Sequence, residues 1–247
     1  MTNRTALINE LESLLSECFD TIANLTTYQQ IKENDARVTF FKHLVNVIDS
    51  TIVSLLVAHK YLGDENWWKE IQKEYNLSAR RIPFVREFVY YDQVVINSFF
   101  HLIFSSFESS IRLIVKRYDS NLYNSQRDFD PLSKGLISKL KLGNKDKFID
   151  LISSIRNSIH NNGLYVPMGS IKNKKIVWNN VMFHFDENKP IAIIDLWSSL
   201  IPILREVYSI FSGIINSDEI KRLCIMMIRQ IIDITGLFFT MYILLFS

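Results

Sequence analysis

A mainly helical fold is what this sequence predicts, an up-down bundle with a small β-hairpin inserted near residues 164–193. Three observations predict it. The 247 residues hold only 7 Gly and 5 Pro, too few breakers for a many-turned all-β chain. Apolar residues recur at helical spacing over long unbroken runs. One stretch alone, around Asn179-Asn180, switches to β-branched and aromatic runs flanking a turn dipeptide. Nearly half the chain is apolar, with 17 Phe, 10 Tyr and 4 Trp, which supports a substantial core and argues against disorder.

The elements follow in order. Leu7, Leu11, Leu14, Leu15, Cys18, Ile22 and Leu25 form the apolar face of a helix over residues 4–25. Residues 36–62 repeat the pattern more densely, and Gly63 supplies a stop. Residues 64–82 predict a short helix and a polar connection, with Trp67 and Trp68 as packing residues. Pro83 can open the next helix, which runs to about Tyr118 with a broad apolar stripe from Phe84 to Phe107. Residues 119–143 read as irregular, with at most a short helix near Leu136. Asn144 then caps a helix that buries Phe148, Leu151, Ile152, Ile155 and Ile159 and ends at Asn161, Asn162 and Gly163. After the hairpin, helical spacing resumes near Ile194 and continues to Asn216. Ser217 caps a last helix to the end. With no repeat or linker, the expectation is a single domain over 1–247, residues 1–82 giving N-terminal helices and 83–247 the motif-bearing bundle.

Cys18 and Cys224 are too few for a disulfide framework and lack metal spacing, which fits a reducing cytoplasm. The N-terminus carries acids where a signal peptide would be apolar. The final ITGLFFTMYILLFS is uncharged over fourteen residues, short of the ~20 a spanning helix needs. A core or partner-facing helix is expected there, with a short membrane anchor as the alternative; no membrane partner is expected otherwise. Charge is unevenly spread. The net charge is +2, yet Leu132 to Lys175 carries +7 from nine bases and two acids, leaving −5 elsewhere. Such a field attracts polyanions, although a solvated lysine-rich loop is the plain alternative. Lys134, Lys139, Lys141, Lys172, Lys174 and Lys175 are the candidate RNA contacts.

That basic stretch surrounds RNSIHNNG, residues 156–163. Arg156 and His160 lie four apart, so a helix presents both on one side, at the edge of the apolar stripe. A guanidinium holds a phosphate by two hydrogen bonds, and an imidazole exchanges a proton near neutral pH. Metal-free RNA cleavage needs both: the 2′-hydroxyl must lose a proton, and the phosphorane charge must be neutralised. The competing reading is an ordinary helix end, with Arg156 paired to Glu108 or Asp150 and His160 capping its own helix. His43, His59 and His101 lie within apolar helical stretches and read as core or edge histidines; His184 reads as exposed on a strand. No phosphate-binding glycine loop, H-E-x-x-H, paired C-x-x-C or G-x-S-x-G is present, and no metal or cofactor site is proposed by the spacing.

RNSIHNNG at the end of a helix in an α-bundle resembles the Arg-Asn signature of the HEPN superfamily. The helix FFHLIFSSFESSIRLIVKRY resembles the one that packs against the motif helix in many such domains, with Glu108 and Arg112 in the places of its acid and arginine. The motif match covers about eight residues, and the spacing departs from the family's by placing three residues rather than four to six between Arg and His. The resemblance implies an up-down bundle. It also implies a metal-independent endoribonuclease leaving 2′,3′-cyclic phosphates, its cleft at a homodimer interface. His160 would act as general acid/base, Arg156 on the phosphate and Asn157 in positioning, with Glu108 and Asn161 supporting. A protein inhibitor or antitoxin is an implied partner besides RNA. The alternative from the same resemblance is a noncatalytic interaction module in a defence or toxin–antitoxin system.

Overall fold

The computed structural model describes residues 4–76, 84–161, 163–167, 172–191 and 193–223. Helix α1 (Arg4–Ala23) runs into a π-helical turn, Asn24–Tyr28, and α2 (Ala36–Val57) into another, Ala58–Leu62. Then come α3 (Glu65–Glu74), the 35-residue α4 (Phe84–Tyr118), α5 (Ser120–Ser125), α6 (Phe129–Lys139) and α7 (Asp146–His160). Strands β1 (Asn173–Trp178) and β2 (Val181–Asp186) precede α8 (Ile193–Asn216) and the short α9 (Asp218–Lys221). The predicted fold class is therefore the observed one: helical, with a single two-stranded antiparallel hairpin among the described residues.

Helix α4 is the hub, packing against α2, α6, α7 and α8, while α1 lies against α2 and α8. The core joins these layers through rings. Phe40 of α2 stacks on Phe211 of α8 at 3.9 Å, and Phe107 of α4 lies 6.1 Å from Phe40 and 6.0 Å from Phe129 of α6. Polar links close the outer seam between α1 and α8. Arg205 reaches Glu10 and Glu17, and the Tyr208 hydroxyl lies 2.8 Å from that of Thr21. A buried pair fixes the far end. Arg37 binds Asp35 and donates to the carbonyls of Ile220, Lys221 and Leu223, tying α2 to the residues after α8.

Two sequence expectations need correction here. Residues 119–143 are more regular than expected: the short helix near Leu136 is the 11-residue α6, and α5 lies where no helix was expected. Asp119 caps α5 by accepting from the Leu122 amide. In α6, Pro131 lies in the first turn, where a missing amide hydrogen breaks no intrahelical bond. Gly135 leaves room for Leu122, whose methyl would come within 2.9 Å of an added Cβ. Pro131 and Gly135 thus read as breakers but act as fitted parts, and Phe129, Leu132, Leu136 and Ile137 give a helical apolar face.

The second correction concerns helix starts. Ser217 precedes α9, but its hydroxyl donates back to Ile214 O and forms no side-chain cap. Helix α9 ends at Lys221; the expected continuation to residue 247, ITGLFFTMYILLFS included, lies outside the described residues, as do the Pro83 helix start and Asn162. At α7 the offset is one residue. Asn144 accepts from the Asp146 amide, while Lys145 occupies the cap position.

The hairpin turns on Asn179 and Asn180, both with positive φ (48° and 62°), the two-residue turn whose twist suits antiparallel strands. Its inner face buries Phe183 and Phe185, and Trp178 packs on Phe148 of α7 at 5.3 Å. By length and composition, Ala36–Leu62, Tyr90–Tyr118 and Trp197–Asn216 are apolar enough to cross a membrane; in the structure their helices pack on one another.

Candidate functional site

The site sits where α4 and α7 cross. Glu108 and His101 are seven residues apart on α4, two turns along one face; Arg156 and His160 are one turn apart on α7. Arg156 lies 2.8 Å from Glu108 Oε2, and the His160 ring lies 4.9 Å from that of His101, edge to face at 80°. The contacts run in opposite chain directions, so the helices are antiparallel and both α7 side chains meet α4.

Glu108 is buried beneath the arginines. Its Oε1 pairs with Arg112 at 2.7 Å and its Oε2 with Arg156, while Arg112 also donates to Arg127 O. One carboxylate thus faces two guanidiniums, leaving a surplus of positive charge. Arg156 keeps 31% of its side chain exposed, and its buried Nε has no hydrogen-bond partner among the described residues. It is held from below with donor capacity left over. The sequence alternatives are therefore resolved on the pairing: Arg156 binds Glu108, and no ion pair to Asp150 forms among the described residues. Lys134 takes Asp150 instead.

His160 is exposed in the last turn of α7. Asn161 ends the helix, its side-chain amide donating to Asn157 O at 2.7 Å. Gly163, at φ +84°, donates to Ser158 O across the helix end, the left-handed closure its residue type predicts. This turn ends the helix directly after His160.

His101 reads from the sequence as a core or edge histidine, and the structure places it half-buried with its ring against that of His160, a neighbourhood the sequence did not indicate. Burial first, and then the charges of His160 and Arg156, hold its pKa below the usual histidine value. The signal that could have found it is its register: it lies two turns before Glu108 on the same helix face. One and two turns further, Asn97 and Gln93 line a small groove with Ser158, Gly163 and Ile191.

The candidate RNA-contacting lysines divide. Lys134 bridges Asp130 (2.7 Å) and Asp150 (2.6 Å). Burial pushes its pKa down, but the two carboxylates outweigh that and raise it. Lys139 pairs with Asp119. Lys172 is exposed, 3.5 Å from Glu187; Lys174 is half-buried and donates to Ser154 Oγ. Lys141 and Lys175 are exposed and form no ion pair among the described residues, Lys175 standing opposite the exposed His184. Acids outside the stretch, Asp119, Asp130 and Glu187, thus offset part of the local +7. Among the described residues no three His, Cys, Asp or Glu side chains converge as metal ligands. Comparison of the chain with family models, curated proteins and solved structures finds no match.

Proposed function

We propose that the protein binds RNA and cleaves it by attack of the 2′-hydroxyl on the adjacent phosphate, leaving a 2′,3′-cyclic end by a route that requires no metal. One observation carries this reading: Arg156, anchored by Glu108, and His160 lie on one edge of α7 with a second imidazole beside them. An anchored guanidinium supplies charge to a phosphorane without reorganising, and an exposed imidazole in the last helical turn can exchange protons with solvent and substrate. The resemblance to HEPN ribonucleases agrees. A homodimer belongs to the same proposal, and light scattering at micromolar concentration tests it separately.

The test is cleavage of mixed RNA by purified protein with EDTA present. Wild-type cleavage with cyclic ends is expected, with losses of about 10²–10⁴-fold on removing the proton-transfer group in His160→Ala, and comparable loss in Arg156→Ala. Unchanged activity in both variants overturns the proposal. A second reading has an observation of its own. Arg156 already has a carboxylate partner in Glu108, as a structural arginine in a noncatalytic interaction module would. That reading expects RNA or protein binding, no cleavage, and loss of fold rather than of chemistry when Glu108 is removed.

A further inference from the structure

Two imidazoles from helices 59 positions apart in sequence meet at the end of α7, and the cleavage reading above uses only one of them. We propose that His101 is the second proton-transfer group, so that a single chain holds both the base and the acid for RNA cleavage; this rests on the cleavage reading.

The geometry separates the two rings by environment while keeping them in contact. His101 lies half-buried on α4; His160 lies exposed at the α7 terminus, their centroids 4.9 Å apart. Arg156 adds a fixed positive charge one turn from His160. Two imidazolium ions beside an arginine repel one another, so the arrangement favours one shared positive charge over two. Of the charged groups here, α7 presents Arg156 and His160 to His101, while α4 contributes Glu108 two turns away, facing the guanidiniums of Arg156 and Arg112. Burial and these neighbours lower the pKa of His101, which suits it to accept a proton. His160, exposed at the helix end, is open to the leaving oxygen and takes the donor role.

The step balances. His101 takes the proton of the 2′-hydroxyl as O2′ bonds to phosphorus. His160 gives its proton to O5′ as the P–O5′ bond breaks, and Arg156 neutralises charge on the nonbridging oxygens. The products are a 2′,3′-cyclic phosphate and a 5′-hydroxyl, with the protons exchanged between the imidazoles and restored through solvent. A chain with one site histidine would need a second copy to supply the other proton-transfer group; His101 meets that need within one chain.

A single-site RNA oligonucleotide, its 2′-deoxy analogue and a version with sulfur replacing O5′ test the roles. His101→Gln and His160→Ala are each expected to lose about 10²–10⁴-fold in cleavage, with unchanged affinity for the uncleavable deoxy analogue. The sulfur leaving group departs without a proton, so it should rescue His160→Ala and not His101→Gln. The proposal is overturned if His101→Gln cleaves as fast as wild type while His160→Ala is inactive, or if its loss is matched by lost affinity. Rescue of His101→Gln by the sulfur substrate overturns the base role. His101→Asn provides an independent variant should the longer amide disturb packing, with thermal melts confirming the fold. Wild-type rates in both Arg156→Ala and His160→Ala are a different failure, that of the underlying cleavage reading.

Discussion

A shared carboxylate determines what each side chain around the site is worth. Glu108 is hydrogen-bonded to Arg112 and in ion-pair contact with Arg156. Glu108→Gln would leave two partly buried guanidiniums without their counter-charge. A loss of about 1–3 kcal/mol in urea unfolding is expected, the range for hydrogen bonds to charged groups with the arginines' partial exposure discounted. His101 gives a pH dependence. Its folded pKa lies below the unfolded value because of burial and its cationic neighbours, and His43 is depressed in the same direction by burial. Such groups bind more protons unfolded than folded, so their contribution is complete above an unfolded pKa of about 6.5 and is lost as pH falls through the folded value. Thermal stability should therefore decline from near neutrality downward, and His101→Gln should reduce the slope of that decline. A stability that rises on acidification through this window would contradict both assignments.

At the level of elements, the hairpin was readable and the α5–α6 region was not, for one physical reason. Asn179-Asn180 states its own backbone requirement, since asparagine tolerates positive φ at little cost and two in succession specify the tight turn. Asn180→Val should cost about 1–2 kcal/mol, the penalty for a left-handed β-branched residue, while Asn180→Gly should be neutral or stabilising; urea melts separate the two. Pro131 and Gly135 state only what they permit. Whether they stop a helix depends on Pro131 falling in the first turn and on Leu122 filling the space above Gly135, and neither fact is local. The site divides the same way. Arg156 and His160 were legible because helical spacing puts them on one side, and Glu108 because it shares a helix with Arg112. His101 resembled every other histidine in an apolar helix until α7 crossed it.

For the whole molecule, the decisive quantity is charge left free after folding. Lys134 and Lys139 are spent on Asp130, Asp150 and Asp119, while Lys141 and Lys175 remain exposed without an ion pair among the described residues. Charge reversal at Lys141 and Lys175 should weaken RNA binding and flatten its salt dependence by about 0.7 per lost phosphate contact. Reversal at Lys134 should chiefly destabilise the α6–α7 junction. Filter binding over a salt series distinguishes them, and an affinity indifferent to salt would remove the electrostatic footprint.

The Asp35–Arg37 clamp carries a temporal consequence. Arg37→Ala would strand a buried carboxylate and should cost about 3–5 kcal/mol in unfolding experiments. Yet the guanidinium's carbonyl partners lie 183 to 186 residues further on. At ribosomal speeds that separation corresponds to roughly 10–40 s of synthesis. Asp35 and Arg37 can pair as soon as they emerge, but the remaining donors must stay hydrated until Ile220 to Leu223 leave the exit tunnel. The polar clamp at the start of α2 therefore stays open through most of translation, even after α4 has emerged to cover α2. Slowing the ribosome late in the message should lengthen that interval, whereas the same pause before residue 35 should leave it unchanged.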